Sequence, residues 1–287
     1  MSIQVNNLTH IYSEGLPQES VALENITFSA QDGQFVGIIG HTGSGKSTLV
    51  QHLNGLLKPK TGNIIVSGTD ITADGIVMKD IRRKIGLVFQ YPEYQLFEET
   101  VEKDVAFGPK NLGLEGEELQ ARVREAIQLV GLDYEEIGQR SPFDLSGGQK
   151  RRVAIAGVIA MKPEVLILDE PTAGLDPKAH RDILNMIEAV HAHEKNITFL
   201  VSHNMNDIAG LADHVLVMDS GRLALQGTPE EVFSQEEKLS AMGLALPESA
   251  RLMNLARQRG LAFEGSFLTP DEVEEALFQY LKKGQHK

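Results

Sequence analysis

The chain has 287 residues, 41% hydrophobic and 23% charged, and this ordinary composition excludes disordered, collagen-like and coiled-coil proteins. It contains no cysteine, which excludes a disulfide scaffold, a thiolate metal site and a cysteine nucleophile. The formal net charge of −13 argues against nucleic acid as a partner and against direct docking on anionic lipid, because both need clustered basic residues. The N-terminus does not resemble a signal peptide, and the longest apolar run, residues 153–161, is too short to cross a bilayer. Any membrane role is therefore expected to go through a partner.

Short apolar runs alternate with helical patterns along the chain. Runs this short and rich in β-branched residues are typical of strands buried on both faces. Together they predict an α/β fold with a mostly parallel core sheet. Residues 215–223 predict a hairpin with an Asp-Ser-Gly turn. The predicted core strands lie at 35–39, 64–66, 85–89, 165–168 and 197–201.

The strand signal disappears between residues 91 and 159. Residues 117–130 have helical spacing, with charges on the opposite face, which predicts a helical insertion. The last part of the chain is acidic and helical in pattern, and Thr269 followed by Pro270 predicts a helix start. The predicted organisation is a core at 1–90 and 160–227, a helical subdomain at 91–159 and a C-terminal helical appendage at 228–287.

A phosphate-binding loop follows the strand at 35–39. Residues 40–47 match G-x-x-x-x-G-K-[ST], and a helical pattern comes next. Glycines let several backbone N–H groups point at phosphate, and the helix N-terminus adds its positive dipole end. Lys46 is expected to reach the β- and γ-phosphates, and the Ser47 hydroxyl to ligate Mg²⁺. The predicted nucleotide contacts are Gly40, His41, Thr42, Gly43, Ser44, Gly45, Lys46, Ser47 and Thr48.

Two adjacent carboxylates end the strand at 165–168. Because ligands of an open α/β sheet lie at the carboxyl ends of the strands, Asp169 is placed to hold Mg²⁺, directly or through water. Glu170 is placed to polarise an attacking water. The bland alternative is an acidic turn before Pro171. The phosphate loop alone leaves ATPase, GTPase, kinase and helicase open.

The pentapeptide Leu-Ser-Gly-Gly-Gln at 145–149 comes directly before another helical pattern. A serine and two glycines at a helix start form a second anion-binding N-terminus, unless they are a plain helix cap. One nucleotide does not obviously need two such anion-binding sites from the same chain. We therefore expect Ser146 and Gly148 to contact the nucleotide of another subunit. The next residues, Lys150, Arg151 and Arg152, are predicted to form a solvated helix face rather than phosphate contacts.

With these motifs, residues 3–230 resemble the ATP-binding cassette (ABC) ATPases. The resemblance implies a RecA-like P-loop core with a mostly parallel sheet, an antiparallel β portion, a helical subdomain and a small C-terminal appendage. It implies ATP and Mg²⁺ as cofactors, and two cassettes that close head to tail with each ATP between them. It also implies that Gln90 contacts Mg²⁺ and the attacking water, and that His203 touches the γ-phosphate and orients Glu170. By the same resemblance Tyr12 stacks on adenine and Asp176 crosses the dimer interface.

The segment after Gln90, Tyr-Pro-Glu-Tyr-Gln-Leu-Phe-Glu-Glu-Thr-Val, resembles the ATPases of energy-coupling factor (ECF) transporters, the CbiO-like group. Residues 41–45 and 52–56 are similar to the second, A-prime, of the two paralogous ATPases. This implies a heterodimer with the paralogous ATPase under a membrane scaffold, the T component, at the cytoplasmic face of the cell membrane. A membrane S component would bind the transported vitamin or metal ion. The alternative function is a non-transport ABC switch that clamps a partner by ATP-driven dimerisation.

The resemblance also implies that coupling helices of the scaffold dock beside the segment after Gln90. The candidate apolar floor is Tyr91, Tyr94, Leu96 and Phe97, with internal packing as the alternative. The candidate partners of scaffold arginines are Glu93, Glu98 and Glu99, with plain solvation as the alternative. An apolar set near the C-terminus is predicted either to mediate dimerisation or to cover the chain's own core: Leu244, Leu246, Leu252, Leu255 and Ala256.

Overall fold

Two sheets and a set of helices make up residues 2–284, the part of the chain that the computed structural model describes. The strands are β1 (Ser2–Tyr12), β2 (Ser20–Gln31), β3 (Phe35–Ile39), β4 (Thr61–Val66), β5 (Thr69–Asp70), β6 (Ile85–Val88), β7 (Val165–Asp169), β8 (Ile197–Val201), β9 (His214–Asp219) and β10 (Arg222–Gly227). The α-helices are α1 (Lys46–Leu53), α2 (Met78–Lys84), α3 (Val101–Asn111), α4 (Gly116–Leu129), α5 (Tyr134–Ile137), α6 (Gly147–Ile159), α7 (Pro177–Glu194), α8 (Met205–Leu211), α9 (Pro229–Phe233), α10 (Glu236–Ala241), α11 (Glu248–Gln258) and α12 (Pro270–Gly284).

The larger sheet has the strand order β10-β9-β3-β8-β7-β6, and the five strands from β9 to β6 run parallel. Every residue of β3, β6, β7 and β8 is buried, which is why these strands are continuous apolar runs in the sequence. β10 pairs antiparallel with β9, as the predicted hairpin at 215–223 required. The predicted α/β class and mostly parallel core sheet are confirmed.

The predicted strand at 64–66 belongs elsewhere. It forms the end of β4, in a separate antiparallel sheet with the order β2-β1-β4-β5. β4 lies next to β1, so Ile65 pairs with Gln4 and its side chain is half-buried, while Ile64 and Val66 are buried. A short apolar run does not by itself distinguish a half-buried antiparallel strand from a core strand, because both can be rich in isoleucine and valine.

The parallel sheet separates two hydrophobic cores. Along β7, Leu166 and Leu168 face a core shared with the helices, whereas Val165 and Ile167 face a core shared with the antiparallel sheet and α1. This alternation gives three layers: helices, parallel sheet and antiparallel sheet. The middle layer is therefore dry on both faces, and polar side chains reach solvent at its strand ends.

The segment from 91 to 164 contains helices and no strand, in agreement with the predicted helical insertion. α4 covers nearly the predicted helix, and it buries Val123, Ala126 and Ile127 while its charged face is exposed. α3 and α4 both pack against α6, whose residues are apolar on most sides. α6 is consequently the central helix of this subdomain.

The C-terminal stretch divides its apolar residues between two clusters. Leu244 and Leu246 join the helix-side core together with residues of α9 and α10. α11 and α12 share a small cluster of their own, centred on Met253, and there the side chain of Leu252 is 54% exposed. The apolar set predicted near the C-terminus is therefore not one face. The domain boundaries at 91, 160 and 228 stay predictions.

Thr269 precedes α12, and its hydroxyl accepts a hydrogen bond from the Glu272 backbone N–H at 3.4 Å. The Glu272 carboxylate in turn accepts from the backbone N–H of Thr269 at 3.0 Å, which closes a capping arrangement at the predicted helix start. No helix within residues 2–284 is both long enough and apolar enough to cross a membrane.

Candidate functional site

The loop between β3 and α1 has a backbone that requires glycine at two positions. Gly40 has φ 151° and Gly45 has φ 102°. A Cβ at Gly40 would lie 2.3 Å from the Met218 carbonyl oxygen, and a Cβ at Gly45 would lie 2.7 Å from the Ala22 carbonyl oxygen. A side chain at either position would therefore clash with backbone, so the loop keeps its tight curvature above the helix N-terminus.

Lys46 begins α1 and reaches back across the loop. Its ammonium donates hydrogen bonds to the carbonyl oxygens of Gly40, at 2.7 Å, and His41, at 3.0 Å. Burial lowers the pKa of Lys46, an effect that the carboxylates of Glu170 and Asp169 oppose. A cation held in this way is poised to receive phosphate oxygens, which would offset its burial.

The predicted loop residues divide by the direction of their side chains. His41 Nε2 lies 3.0 Å from Asp219 Oδ1 at the end of β9, so this side chain ties the loop to the sheet. The Ser44 side chain is fully buried beneath the loop. A pocket of about 510 Å³ opens on the other side, lined from this loop by Thr42, Gly43, Gly45, Lys46, Ser47 and Thr48.

Asp169 lies at the end of β7 and is buried beside Lys46 and Ser47. Burial raises the pKa of its carboxyl group, and a hydrogen bond with the Ser47 side chain opposes that rise. Its Oδ1 atom is buried without a hydrogen-bond partner. A hydroxyl and an unsatisfied carboxylate oxygen are ligands that Mg²⁺ prefers, so these residues fit the ion.

Within residues 2–284, no group of three or more His, Cys, Asp and Glu side chains is arranged to hold a metal ion.

Glu170 is the point where the three predicted catalytic side chains meet. Its Oε2 accepts a hydrogen bond from Gln90 Nε2 at 2.9 Å, and its Oε1 lies 2.5 Å from His203 Nε2. Gln90 follows β6 closely and His203 follows β8, and these two strands flank β7 in the parallel sheet. Adjacent parallel strands end at the same edge of the sheet. The fold therefore brings Gln90, 80 positions before Glu170 in the chain, and His203, 33 positions after it, into contact with Glu170.

Tyr12 lies at the end of β1 and lines the same pocket. Its hydroxyl is 3.4 Å from the Thr48 hydroxyl.

Two histidines, His10 and His52, lie next to Tyr12, and neither was predicted from the sequence to be a site residue. The His10 ring packs edge-on against Tyr12 with centroids 4.5 Å apart, and His10 Nδ1 lies 3.2 Å from Nε2 of the buried His52. Histidines on a strand and a helix 42 positions apart give no local signal that they touch.

Ser146 is the N-cap of α6. Its hydroxyl accepts from the Gln149 backbone N–H at 3.3 Å, and Gln149 Oε1 accepts from the Ser146 backbone N–H at 3.0 Å. Neither Ser146 nor Gly148 is among the residues that line the pocket around Lys46. The cap leaves the first N–H groups of α6 directed at solvent, where an anion from outside the chain can reach them.

Asp176 caps α7 in the same way, with Oδ1 accepting from the backbone N–H groups of Lys178 and Ala179. These two hydrogen bonds lower the pKa of the Asp176 carboxyl group. Its predicted position at a dimer interface is not tested by one chain and stays a prediction.

The prediction that the residues after the pentapeptide at 145–149 form a solvated helix face is wrong for Arg151. Its side chain is 2% exposed and forms an ion pair with Glu93. Arg152 is half-buried and donates to the Val130 carbonyl oxygen. The sequence favoured solvation because three adjacent basic residues on one helix are usually exposed, but α6 lies between other elements on several sides and turns Arg151 inward.

Two of the predicted docking residues also turn inward. The Glu93 carboxylate forms an ion pair with Arg151, and Leu96 is buried in the core that the parallel sheet shares with the helices. Tyr91, Tyr94 and Phe97 remain exposed. Glu99 forms an exposed ion pair with Lys103.

A groove of about 600 Å³ runs beside this segment, between α2, α3 and α6. Its floor is apolar and includes Phe97, Phe107 and Val153. Its rim carries the basic side chains of Lys79, Arg82 and Arg83, which the sequence analysis did not anticipate. A groove with an apolar floor and a charged rim suits an amphipathic helix.

Comparison with known proteins gives a consistent result. A family model described as ABC transporter matches residues 23–173. The energy-coupling factor transporter ATP-binding protein EcfA2 of Caldanaerobacter subterraneus subsp. tengcongensis is 57% identical over 282 residues, which is 98% of each chain. The solved structure of CbiO1 from Clostridium perfringens, described as part of the ABC transporter complex CbiONQ, is 38% identical with a TM-score of 0.74, covering 88% of this chain and 98% of that one. A dimeric ATP-binding cassette in a post-hydrolysis state, bound to ADP and phosphate, is 29% identical with a TM-score of 0.69, covering 79% and 98%.

Proposed function

Since this chain belongs to the ABC transporter family and is the ATPase subunit of an ECF-type importer, we propose that it hydrolyses Mg²⁺-ATP at the pocket around Lys46, with Glu170 as the general base. The observation that carries this proposal is the contact of Glu170 with both Gln90 and His203 at the rim of that pocket. The same three side chains line the space that the phosphate loop opens onto.

In the proposed mechanism the loop amides and Lys46 bind the phosphates, and Tyr12 stacks on the adenine ring. Ser47, Asp169 and Gln90 would hold Mg²⁺, and the ion would supply charge neutralisation on the phosphate oxygens. Gln90 Nε2 and His203 Nε2 each hold one oxygen of Glu170, so the carboxylate is oriented before water arrives. Glu170 then accepts a proton from the attacking water as the water oxygen bonds to the γ-phosphorus, while the bond between that phosphorus and the β–γ bridging oxygen breaks and ADP leaves.

A second cassette completes each site in this proposal. Ser146 and Gly148 lie outside the pocket of their own chain, and the N-terminus of α6 is exposed. These residues would bind the triphosphate held by the paralogous ATPase. The description of the similar cassette as dimeric and bound to ADP and phosphate supports this arrangement.

The importer's membrane partners are proposed from the groove between α2, α3 and α6. A coupling helix of the T component would place apolar side chains on Phe97 and Phe107, with the basic rim meeting acidic or amide groups. An S component that binds a vitamin or a metal ion would complete the transporter. The chain would then be held peripherally at the cytoplasmic face of the cell membrane.

Substitution of the base tests the proposal. We expect Glu170→Gln to lower kcat of the assembled transporter by about 100-fold or more, because general base catalysis typically contributes that much. The affinity for ATP is expected to stay within a few-fold, since the phosphate loop is untouched. Steady-state phosphate release and equilibrium ATP binding measure the two effects.

Glu164→Gln is the matched control, because Glu164 precedes β7 at the opposite end from Glu170 and is exposed. The control should hydrolyse ATP at the wild-type rate. A Glu170→Gln transporter with near-normal turnover would show that the base has been assigned to the wrong residue.

Purification of the tagged chain in mild detergent tests the proposed partners, and it should recover a polytopic membrane protein and a second ATPase.

A further inference from the structure

The buried side chain of Arg151 forms four hydrogen bonds to residues outside its own helix. Its Nε and Nη2 atoms donate to the two carboxylate oxygens of Glu93, at 2.9 and 2.6 Å. Its Nη1 atom donates to the carbonyl oxygens of Pro171, at 3.1 Å, and Ala173, at 2.8 Å. The guanidinium also lies 5.8 Å from the ring centroid of Tyr91. One buried side chain therefore joins three separate segments.

Each of those segments carries part of the proposed machinery. Glu93 lies in the segment that begins with Gln90, and Pro171 directly follows Glu170. Arg151 itself lies on α6, the helix that Ser146 caps. The guanidinium therefore bonds to residues that lie close in the chain to Gln90 and to Glu170, and it belongs to the helix that follows the pentapeptide at 145–149.

The backbone at Glu170 needs such support. Glu170 has φ 51°, a left-handed conformation that is costly for a side chain of this size and persists where the surroundings over-determine it. Its N–H donates to the Val201 carbonyl oxygen and its own carbonyl accepts from Ala173, both at 3.1 Å. The hydrogen bonds from Arg151 to Pro171 and Ala173 hold the other side of the same turn.

The chemistry of the contact favours arginine specifically. A planar guanidinium can bind a carboxylate with two parallel N–H groups and still direct a third nitrogen elsewhere. A lysine ammonium at this position would keep the charge but could not hold both oxygens of Glu93 and both carbonyls at once. Arg151 thus fixes the separation between the Gln90 segment and the turn that carries Glu170.

We propose that Arg151 is a positioning residue that transmits movement of the segment after Gln90 to the carboxylate of Glu170. This inference rests on the proposed roles of Gln90 and Glu170 in hydrolysis. When the segment 91–97 is displaced at the scaffold-facing surface, Glu93 pulls on the guanidinium, and the turn at Pro171 follows. Docking of the transporter's membrane part and orientation of the base are then one mechanical event.

The test is Arg151→Lys in the assembled transporter, with Arg152→Lys as the matched control. Arg152 is the next residue of α6 and donates to Val130, away from the pocket. We expect Arg151→Lys to lower kcat about tenfold, which equals about 1.4 kcal/mol, while KM for ATP stays within about twofold. Arg152→Lys should leave both constants unchanged. Amide hydrogen exchange in the full chain should quicken at residues 170–173 in the Arg151 variant only.

Glu93→Gln is the second variant, since it removes the charge with little change in volume and keeps the chain testable if the lysine variant does not fold. It should reproduce the loss of kcat at constant KM. Wild-type kcat in both variants would overturn the proposal, as would a loss that is matched by a lower melting temperature and faster exchange throughout the chain. If Glu170→Gln itself retains normal turnover, the proposed function has failed instead, and the two failures are distinct.

Discussion

Burial shifts the pKa values of two side chains in the nucleotide pocket, and a bound ligand would oppose both shifts. Burial lowers the pKa of Lys46 and raises that of Asp169, while the attraction between the ammonium and the carboxylates acts against both shifts. Buried charges of this kind cost stability unless they are paired or coordinated. Phosphate and Mg²⁺ would compensate them, so ligand binding is expected to stabilise the folded chain.

The histidine pair behind Tyr12 gives a pH dependence at this scale. Burial lowers the pKa of His52 below its ordinary value of 6.5. Below that pH the folded chain therefore binds fewer protons than the unfolded chain. The contribution of His52 to stability is fully present above pH 6.5 and is lost as the pH falls through the lowered pKa. We expect His52→Asn to flatten this decline, by at most about 1.4 kcal/mol per pH unit.

Urea unfolding between pH 7.5 and 5.5 measures the effect, and His193→Asn on an exposed part of α7 is the control. An unchanged slope in the His52 variant would show that the pKa of this histidine is the same in the folded and unfolded chains. Asparagine suits the test because its amide can still donate to the Thr48 carbonyl oxygen, which His52 Nδ1 contacts at 2.8 Å.

At the scale of one helix, α6 has two functions that share its N-cap residue. Ser146 caps the helix within the chain, and the same hydroxyl is proposed to bind a partner's triphosphate. An aspartate preserves an N-cap and suits the helix dipole, but its charge repels phosphate. The two functions can thus be separated by one substitution.

We expect Ser146→Asp to change the free energy of unfolding by less than about 0.5 kcal/mol, whereas Ser146→Ala should lower it by about 1 kcal/mol through loss of the cap. Ser146→Asp should abolish ATP-dependent association with the paralogue. Chemical denaturation and size analysis with ATP measure these outcomes. Ser141→Asp, at the N-cap of the short 3₁₀ helix Pro142–Asp144, is the control and should associate normally. Normal association of the Ser146 variant would exclude this serine from the interface.

At the scale of the whole molecule, the C-terminal stretch is not a detachable unit. Val232, Phe233, Leu239, Leu244 and Leu246 all belong to the helix-side core. Removal of everything after residue 227 would open that core, so truncation there cannot report on dimerisation alone. Single substitutions separate the two contributions.

Leu246, 7% exposed, and Leu252, 54% exposed, make a matched pair. We expect Leu246→Ala to lower the free energy of unfolding by about 2–3 kcal/mol, because it leaves a cavity in a packed core. Leu252→Ala should change it by less than about 0.5 kcal/mol. Thermal and chemical unfolding of the full chain provide the measurement, and equal losses in the two variants would contradict the burial of Leu246 and the exposure of Leu252.

Motifs with a local physical basis were predictable from the sequence. A phosphate loop needs glycines at particular backbone positions, a helix start needs a capping side chain, and a strand buried on both faces is a continuous apolar run. These requirements act between neighbouring residues, so 40–47, 145–149 and 165–170 could be read directly. The family resemblance implied that His203 orients Glu170, and the order of the parallel strands in the structure brings Gln90, Glu170 and His203 to one edge.

Tertiary structure decided every feature that depends on which elements pack together. The sheet containing Ile64, the burial of Arg151 against Glu93, and the contact of His10 with His52 join residues distant in the chain. A run of adjacent basic residues on a helix can be solvated or buried, and only the packing of neighbouring elements decides which of the two occurs. The sequence by itself therefore determined the chemistry that this protein carries, and the fold determined which side chains remain free to perform it, because burial and pairing are properties of the packed chain.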